Sequence, residues 1–325
     1  MPVIVDAMGG DHAPAEVVTG AVAAAREFGI EVVLVGRRCD IEHLDVASPC
    51  VSIEHADEVI GFNEHPAMAL RRKPTASIVV AAKLAKERPG AALLSAGHTG
   101  AVMAAALLSL GRIPGVERPG IAAVIPTEEK SVVVLDVGAN VDCKPSHLVQ
   151  FAIMGTAYAR AVLGVDKPTV GLLNIGEEEK KGNELSLAAF KALTTATDIE
   201  FRGNVEPSGL YAGQVDVVVT DGFAGNIFLK SSEAVSNILQ KLVRQELSSA
   251  TEAGAAIARG LGARLGRFST RNPQYAGAPL LGIDGTCIIA HGGSRAETIK
   301  HCVVLAEKFA ASTAVSFITK HVAVA

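Results

Sequence analysis

Polar residues flanked by glycine recur wherever an apolar run of this chain stops. Asp6 precedes Gly9, Gly10 and His12 in DAMGGDHAP; SAGHTG supplies Ser95, Gly97, His98 and Thr99; DVGANVD supplies Asp136, Asn140 and Asp142. Asn174 leads into IGEEEKKGNE, with Glu177 and Lys181. GNVE carries Asn204 and Glu206, DGFAGN carries Asp221, Gly222, Gly225 and Asn226, and HGGS begins at His291. Amides, hydroxyls and imidazoles of this kind donate to anions and to developing charge. The glycines let a backbone approach a ligand closely, and a helix start offers free N–H groups to negative charge. Phosphate is the natural ligand. One such turn is the ordinary way to begin a helix; the recurrence of seven along the chain points to a site.

The absent motifs narrow the chemistry. No G-x-G-x-x-G follows a strand-like run, and G-x-x-x-x-G-K-[ST], G-x-S-x-G and H-E-x-x-H are all missing. A dinucleotide, a nucleoside triphosphate held by a P-loop and a serine acyl-enzyme therefore have no support. Cys39, Cys50, Cys143, Cys287 and Cys302 show neither CxxC nor zinc-finger spacing, and read as reduced, packed thiols. With no evident covalent nucleophile, a bound inorganic phosphate would supply its own. No cofactor and no metal is expected: Asp6, Asp11, Asp136 and Asp142 could hold Mg²⁺, but carboxylates at strand ends more often cap helices.

The elements that must position these groups are legible. Val3–Met8, Glu31–Gly36, Ala91–Gly97, Ser131–Gly138, Thr169–Gly176 and Val215–Gly222 are short, β-branched apolar runs that read as buried strands. Between most of them lie helical patterns over Ala15–Phe28, Ser77–Arg88, His147–Leu163 and Leu185–Thr197. The alternation predicts a mostly parallel sheet covered on both faces. Ligands of such sheets bind outside the carboxyl ends of the strands, so the seven clusters are expected to converge on one edge. Beyond Asp221 the pattern predicts a long helix over Gly225–Leu247, a hairpin around Leu281–Ala290 turning at IDG, and a single helix from Ser294 to about Lys320. Residues 1–325 read as one domain, with room for two lobes and no internal repeat.

The chain of 325 residues carries net charge −4 and is 4% aromatic with no Trp, which argues against a nucleic-acid partner. The start MPVIVDAMGG lacks a signal peptide's basic and apolar regions, and no window is long and apolar enough to span a bilayer. A cytoplasmic protein is expected. One stretch departs from the acidic average: 248–272 reads as a basic, amphipathic helical segment. From Ala253 through Ile283 there is no acidic residue, while Arg259, Arg264, Arg267 and Arg271 are present and Ile257, Leu261, Leu265 and Phe268 keep helical spacing. It suits an anionic membrane, an acidic partner or a subunit interface.

Taken in order, VDAMGGDHAP, LLSAGHTGAV, LDVGANVDCKPSHLVQFAIMGTAYA, LLNIGEEEKKGNEL, GNVE, VVTDGFAGNIFLKSSE, APLLGIDG and AHGGS resemble the phosphate acyltransferases of bacterial phospholipid synthesis, the PlsX type, nearly end to end. The resemblance implies a three-layer α/β/α fold similar to the phosphotransacetylase and isocitrate/isopropylmalate dehydrogenase group, with a helical arm. It implies transfer of a long acyl chain from acyl carrier protein to inorganic phosphate by a homodimer peripheral to the inner face of the cell membrane. The product would pass to a glycerol-phosphate acyltransferase. It further implies Lys181 and Asn226 as the catalytic pair, roles that suit a point charge for phosphate and an amide donor for the thioester oxyanion. A solvated lysine and a helix N-cap are their plain alternatives. A short-chain phosphotransacetylase using acyl-CoA, a dehydrogenase of related fold and a non-catalytic lipid-pathway scaffold are the rivals.

His98 departs from the family's pattern, which has Asn there. Asn is no base at neutral pH, so His98 is expected to donate to phosphate or thioester, or to serve the helix start, rather than to accept a proton.

Overall fold

The computed structural model describes residues 1–127, 129–248, 260–261 and 277–322, and its strands are β1 (Val3–Asp6), β2 (Val32–Gly36), β3 (Val51–His55), β4 (Ala92–Ser95), β5 (Gly120–Pro126), β6 (Ser131–Leu135), β7 (Thr169–Leu173), β8 (Glu200–Val205), β9 (Val217–Val219), β10 (Ala278–Leu281) and β11 (Thr286–Ile289). Every run read as a strand is one. β3, β5 and β8 have no counterpart in the sequence reading. The helices are α1 (Ala15–Phe28), α2 (Arg38–Ile41), α3 (Pro66–Arg72), α4 (Ser77–Glu87), α5 (Thr99–Ser109), α6 (Pro145–Ala161), α7 (Glu184–Thr195), α8 (Pro207–Tyr211), α9 (Gly222–Ser248), α10 (Ala296–Ala310) and α11 (Ala314–Val322).

One eleven-stranded sheet runs β3-β2-β1-β4-β11-β10-β5-β6-β9-β7-β8. Its strands are apolar on both sides because both sides are covered. Val3, Val5, Val133 and Leu135 enter one core with α1, α6, α7, α10 and α11, while Ile4, Val132 and Val134 enter the other with α4 and α5. The result is the three-layer α/β/α architecture expected.

The sheet corrects two expectations. β10 is antiparallel to β11 and to β5, and β5 is antiparallel to β6, so the parallel group β2, β1, β4, β11 runs opposite to the parallel group β6, β9, β7, β8. The polar strand ends therefore fall on two edges, not one. Asp6, Ser95 and His291 belong to the first; Asp136, Asn174, Glu206 and Asp221 belong to the second. Twist turns the two edges toward each other. Five strand-to-strand steps separate β1 from β6, and at about 20–25° each they turn opposed carboxyl ends to within about 55–80° of one another.

The second correction is an internal repeat hidden from the sequence. The hairpin β5-β6 with β9, β7 and β8 is matched from the centre of the sheet by the hairpin β10-β11 with β4, β1 and β2. In sequence order the second half is a circular permutation of the first, which is why a linear scan finds no period. One trace survives: Ser95–Gly100 and Thr220–Gly225, at the equivalent ends of β4 and β9, share [ST]-x-G-x-x-G.

The expected C-terminal helix is two, α10 and α11, bent by 52°. Ser312 breaks it, since its hydroxyl donates to Phe309 O at 2.7 Å and accepts from Ala314 N at 3.3 Å, competing with the helical ladder. No single described helix is long and apolar enough to cross a membrane, and the apolar side of this bent pair (Ile299, Val303, Phe309, Ile318) is buried in the core.

Helix α1 lies against α10 at Gly20, where a Cβ would stand 2.3 Å from Ala296 O. Alanine in place of glycine ordinarily stabilises a helix interior by about 1 kcal/mol. Here the close backbone reverses the sign: Gly20→Ala is expected to lower stability by roughly 1–3 kcal/mol, read as a lower urea midpoint.

Candidate active site

The second edge is organised by a carboxylate that never meets solvent. Asp136 follows β6 and is 0% exposed. Its Oδ1 accepts from the N–H groups of Ile121 (3.0 Å), Gly138 (3.1 Å) and Ala139 (3.0 Å), and its Oδ2 accepts from Asn140 N (2.7 Å) and Asn140 Nδ2 (3.0 Å). Burial pushes its carboxyl above the usual carboxylate range, against the N–H donors that favour the charged form. These bonds close the loop 136–140 into a small platform. Gly222 N donates to Asn140 O at 2.7 Å, and a Cβ on Gly225 would stand 1.9 Å from Asp136 O. Only glycine fits there, so helix α9 begins directly on the platform.

Asp221 caps that helix, accepting from Phe223 N (3.0 Å) and Ala224 N (2.8 Å). The N-cap reading of Asn226 is thereby excluded. Asn226 lies one turn in, exposed, with its amide against Gly138 and without a hydrogen bond to any described residue. It is a donor with nothing yet to donate to.

Lys181 comes from the loop after β7. β9 lies between β6 and β7, with Leu135 level with Val219 and Val219 level with Leu172, so the loops after these strands rise side by side about 5 Å apart per strand. The loop is exposed from Glu177 through Glu184, and Lys181 Nζ is 3.8 Å from Glu178 Oε1. Asn174 and Asn204, expected to bind substrate, spend their amides on this loop instead: Asn174 Nδ2 donates to Lys181 O at 3.0 Å, and Asn204 Nδ2 to Glu178 O at 2.8 Å. Asp142 and Glu177 are exposed nearby, and Glu206 leads into α8.

The first edge is built alike. Asp6 is 3% exposed; it accepts from Ser95 Oγ at 2.7 Å and Met8 N at 3.3 Å, and burial raises its pKa. Ser95 Oγ also accepts from Gly97 N at 3.0 Å. A Cβ on Gly9 would stand 2.8 Å from Gly97 N, and Asp11 N donates to Gly292 O at 2.8 Å, so the loops carrying Gly9, Gly10 and His12, Ser95 and Gly97, and His291 converge. A narrow cleft is lined by the polar Asp6, Ser77 and His98 and the apolar Ile60, Ala101 and Val102. The buried carboxylates and Ser95, expected to contact substrate, brace these loops with their oxygens. Thr99 and His291 remain exposed.

His98 caps α5, its Nδ1 accepting from Gly100 N at 3.0 Å, and its ring stacks near Phe62 with centroids 6.3 Å apart. A lone pair used this way puts the proton of the neutral ring on Nε2, leaving a donor and no free base. His291 repeats the device with Gly293 N, also at 3.0 Å.

Among the described residues no three His, Cys, Asp or Glu side chains gather to hold a metal. No disulfide joins the cysteines. Cys143, beside the platform, is no nucleophile: burial, then the charges of Asp136, Asp221 and Asp142, push its thiol up to about 11. Leu261 is exposed, whereas Ile257, Arg259, Arg264, Leu265 and Arg267, with most of 248–272, lie outside the described residues.

The layered α/β/α fold is similar to that of solved phosphotransacetylases. The chain is similar to one from Streptococcus pyogenes (TM-score 0.64, 17% identity, covering 95% of this chain and 94% of that one) and to EutD phosphotransacetylase from Staphylococcus aureus (0.62, 15%, 95% and 94%). Residues 1–316 match the family model described as fatty acid synthesis protein, and the chain belongs to that family. It is 48% identical over 307 residues to the phosphate acyltransferase of Desulforudis audaxviator, covering 94% of this chain and 91% of that protein. It is 47% identical to that of Heliobacterium modesticaldum, covering 99% and 98%.

Two outcomes check the site's assignments. Iodoacetamide at pH 8 is expected to label exposed Cys39 and to leave Cys143 and turnover untouched, read by peptide mass spectrometry. His98→Asn keeps a cap and should keep full activity, while His98→Ala should lose about 1 kcal/mol of stability; a large loss of turnover in His98→Asn would restore the base reading.

Proposed function

We propose that this protein is an acyltransferase that moves a long-chain acyl group from acyl carrier protein to inorganic phosphate, giving acyl phosphate for phospholipid synthesis. Its kinship to proteins named phosphate acyltransferase supports the reaction class. The observation that carries the reading in this chain is the unengaged, exposed amide of Asn226, set against Gly138 at the start of α9, while Lys181 lies on the loop after β7, the strand next to β9.

In the reaction, a phosphate oxygen attacks the thioester carbon, a C–O bond forms and the C–S bond breaks. The proton of hydrogen phosphate ends on the departing carrier thiol. Lys181 holds the phosphate as a point charge, and Asn226 Nδ2 donates to the carbonyl oxygen as it becomes an oxyanion. No general base is required, because phosphate near neutral pH is already partly dianionic; positioning and oxyanion stabilisation carry the acceleration.

The partners follow the same reading. Phe223, Ile227, Val235, Ile238, Leu239 and Leu242 are exposed along α9, each between 46% and 59%, an apolar surface that supports a homodimer. The basic segment 248–272 supports a cytoplasmic protein peripheral to the anionic inner face of the membrane, where a glycerol-phosphate acyltransferase would consume the product.

Long-chain acyl carrier protein incubated with phosphate and hydroxylamine should yield phosphate-dependent hydroxamate, and short acyl-CoA should yield far less. Asn226→Ala is expected to lower kcat by about 10² to 10³. Unchanged turnover in that variant would leave Asn226 without a catalytic part.

A further inference from the structure

We infer that Asn174 and Asn204 are positioning residues which, with a glycine bulge in β8, hold the loop 176–183 so that Lys181 faces the site; this rests on the reading of Lys181 as the phosphate-holding cation. The loop needs such a device. It is exposed from Glu177 through Asn183, outside any helix or strand, so no apolar core fixes it. Two of its carbonyls are held: Lys181 O by Asn174 Nδ2 at 3.0 Å, and Glu178 O by Asn204 Nδ2 at 2.8 Å. Asn174 Oδ1 also accepts from Ile175 N at 2.9 Å, which locks the amide's orientation. The chain then turns at Gly182, φ 104°, where a Cβ would stand 2.7 Å from Asn174 Oδ1.

Asn204 reaches the loop because of the bulge. Val170 is level with Phe201 but Leu172 is level with Asn204, two residues on β7 against three on β8, and Gly203 has φ 104°. An extra residue inverts the alternation of everything after it. Phe201 packs against Phe190 of α7 (centroids 5.3 Å apart) in one core, yet Val205, four residues on, lies in the other. In a regular strand both would share a face, and Asn204 would point away from α7. The bulge turns it to the side where the loop enters α7. Asn204 Oδ1 is buried without a partner, a cost to folding, so the contribution of this amide lies in the donor end that holds the loop.

The test is steady-state kinetics by hydroxamate trapping, varying phosphate and acyl donor separately. Asn174→Ala, Asn204→Ala and Gly203→Ala are each expected to raise KM for phosphate roughly five- to tenfold, with kcat and KM for the acyl donor within twofold. In a Lys181→Ala background, adding Asn204→Ala should change nothing further, because the amide acts through Lys181. Thermal melts identify a variant that fails to fold, and Asn204→Asp, which keeps the shape and loses the donor, then takes its place. An unchanged KM for phosphate, or losses that multiply with Lys181→Ala, would overturn the proposal. Lys181→Ala with the parent's KM for phosphate would instead remove the reading it rests on, and the proposal with it.

Discussion

The second half of the sheet depends on a buried carboxylate with no cation beside it among its recorded partners. Asp136 is compensated by five N–H donors, and satisfying them fixes the path of residues 136–140. That path dictates the next. A helix can start on the platform only where two of its first residues have no Cβ, at Gly222 and Gly225, and the close approach sets the depth and rotation of α9. Asn226 therefore owes its place to a residue that is fully buried.

The two halves of the fold share a turn and differ in how it is braced. Asp6, at the end of β1, accepts from Ser95 Oγ and Met8 N, whereas Asp136, at the end of β6, accepts from Ile121 N and from the loop 138–140; the [ST]-x-G-x-x-G turn follows β4 in one half and β9 in the other. The matching topology does not bring matching side chains. The position of Asn226 is occupied in the first half by Ala101, which is 2% exposed and packed, so that half offers a walled cleft without the amide.

The sequence made the central strands legible because burial on both faces leaves an uninterrupted β-branched run, as in Ser131–Leu135. It concealed β3 and β8 because they are the outer strands, half exposed and polar, as in VSIEH and EFRGNV. It concealed β5 because Gly120, Ala122 and Ala123 interrupt the β-branched run of Ile121, Val124 and Ile125; a Cβ on Gly120 would stand 2.8 Å from Leu135. Polarity of the two half-sheets was beyond any local pattern, since a strand reads the same in either direction. The site was legible in kind but not in role: spacing marked Asp6, Ser95, Asp136 and Asn174 as polar strand ends, and only burial and partners separate a brace from a contact. The bulge at Gly203 was concealed with its strand, since a glycine marks close approach or re-aiming only within a run already read as a strand.

Electrostatics explains why the lysine loop must be held. Under the proposed reaction an anion enters a neighbourhood that already contains Asp136, Asp221 and Asp142. Asp136 is screened by its own donors, but Asp221 occupies the N–H groups of Phe223 and Ala224, the same groups a helix N-terminus would otherwise turn toward phosphate. The helix start is thus partly cancelled as an anion site. A mobile ammonium in water adds little at 4 Å, about 1 kcal/mol, and several times more where the surroundings are less polar. A loop whose two carbonyls are held by the amides of Asn174 and Asn204 leaves less conformational freedom to be lost when the ammonium engages the anion.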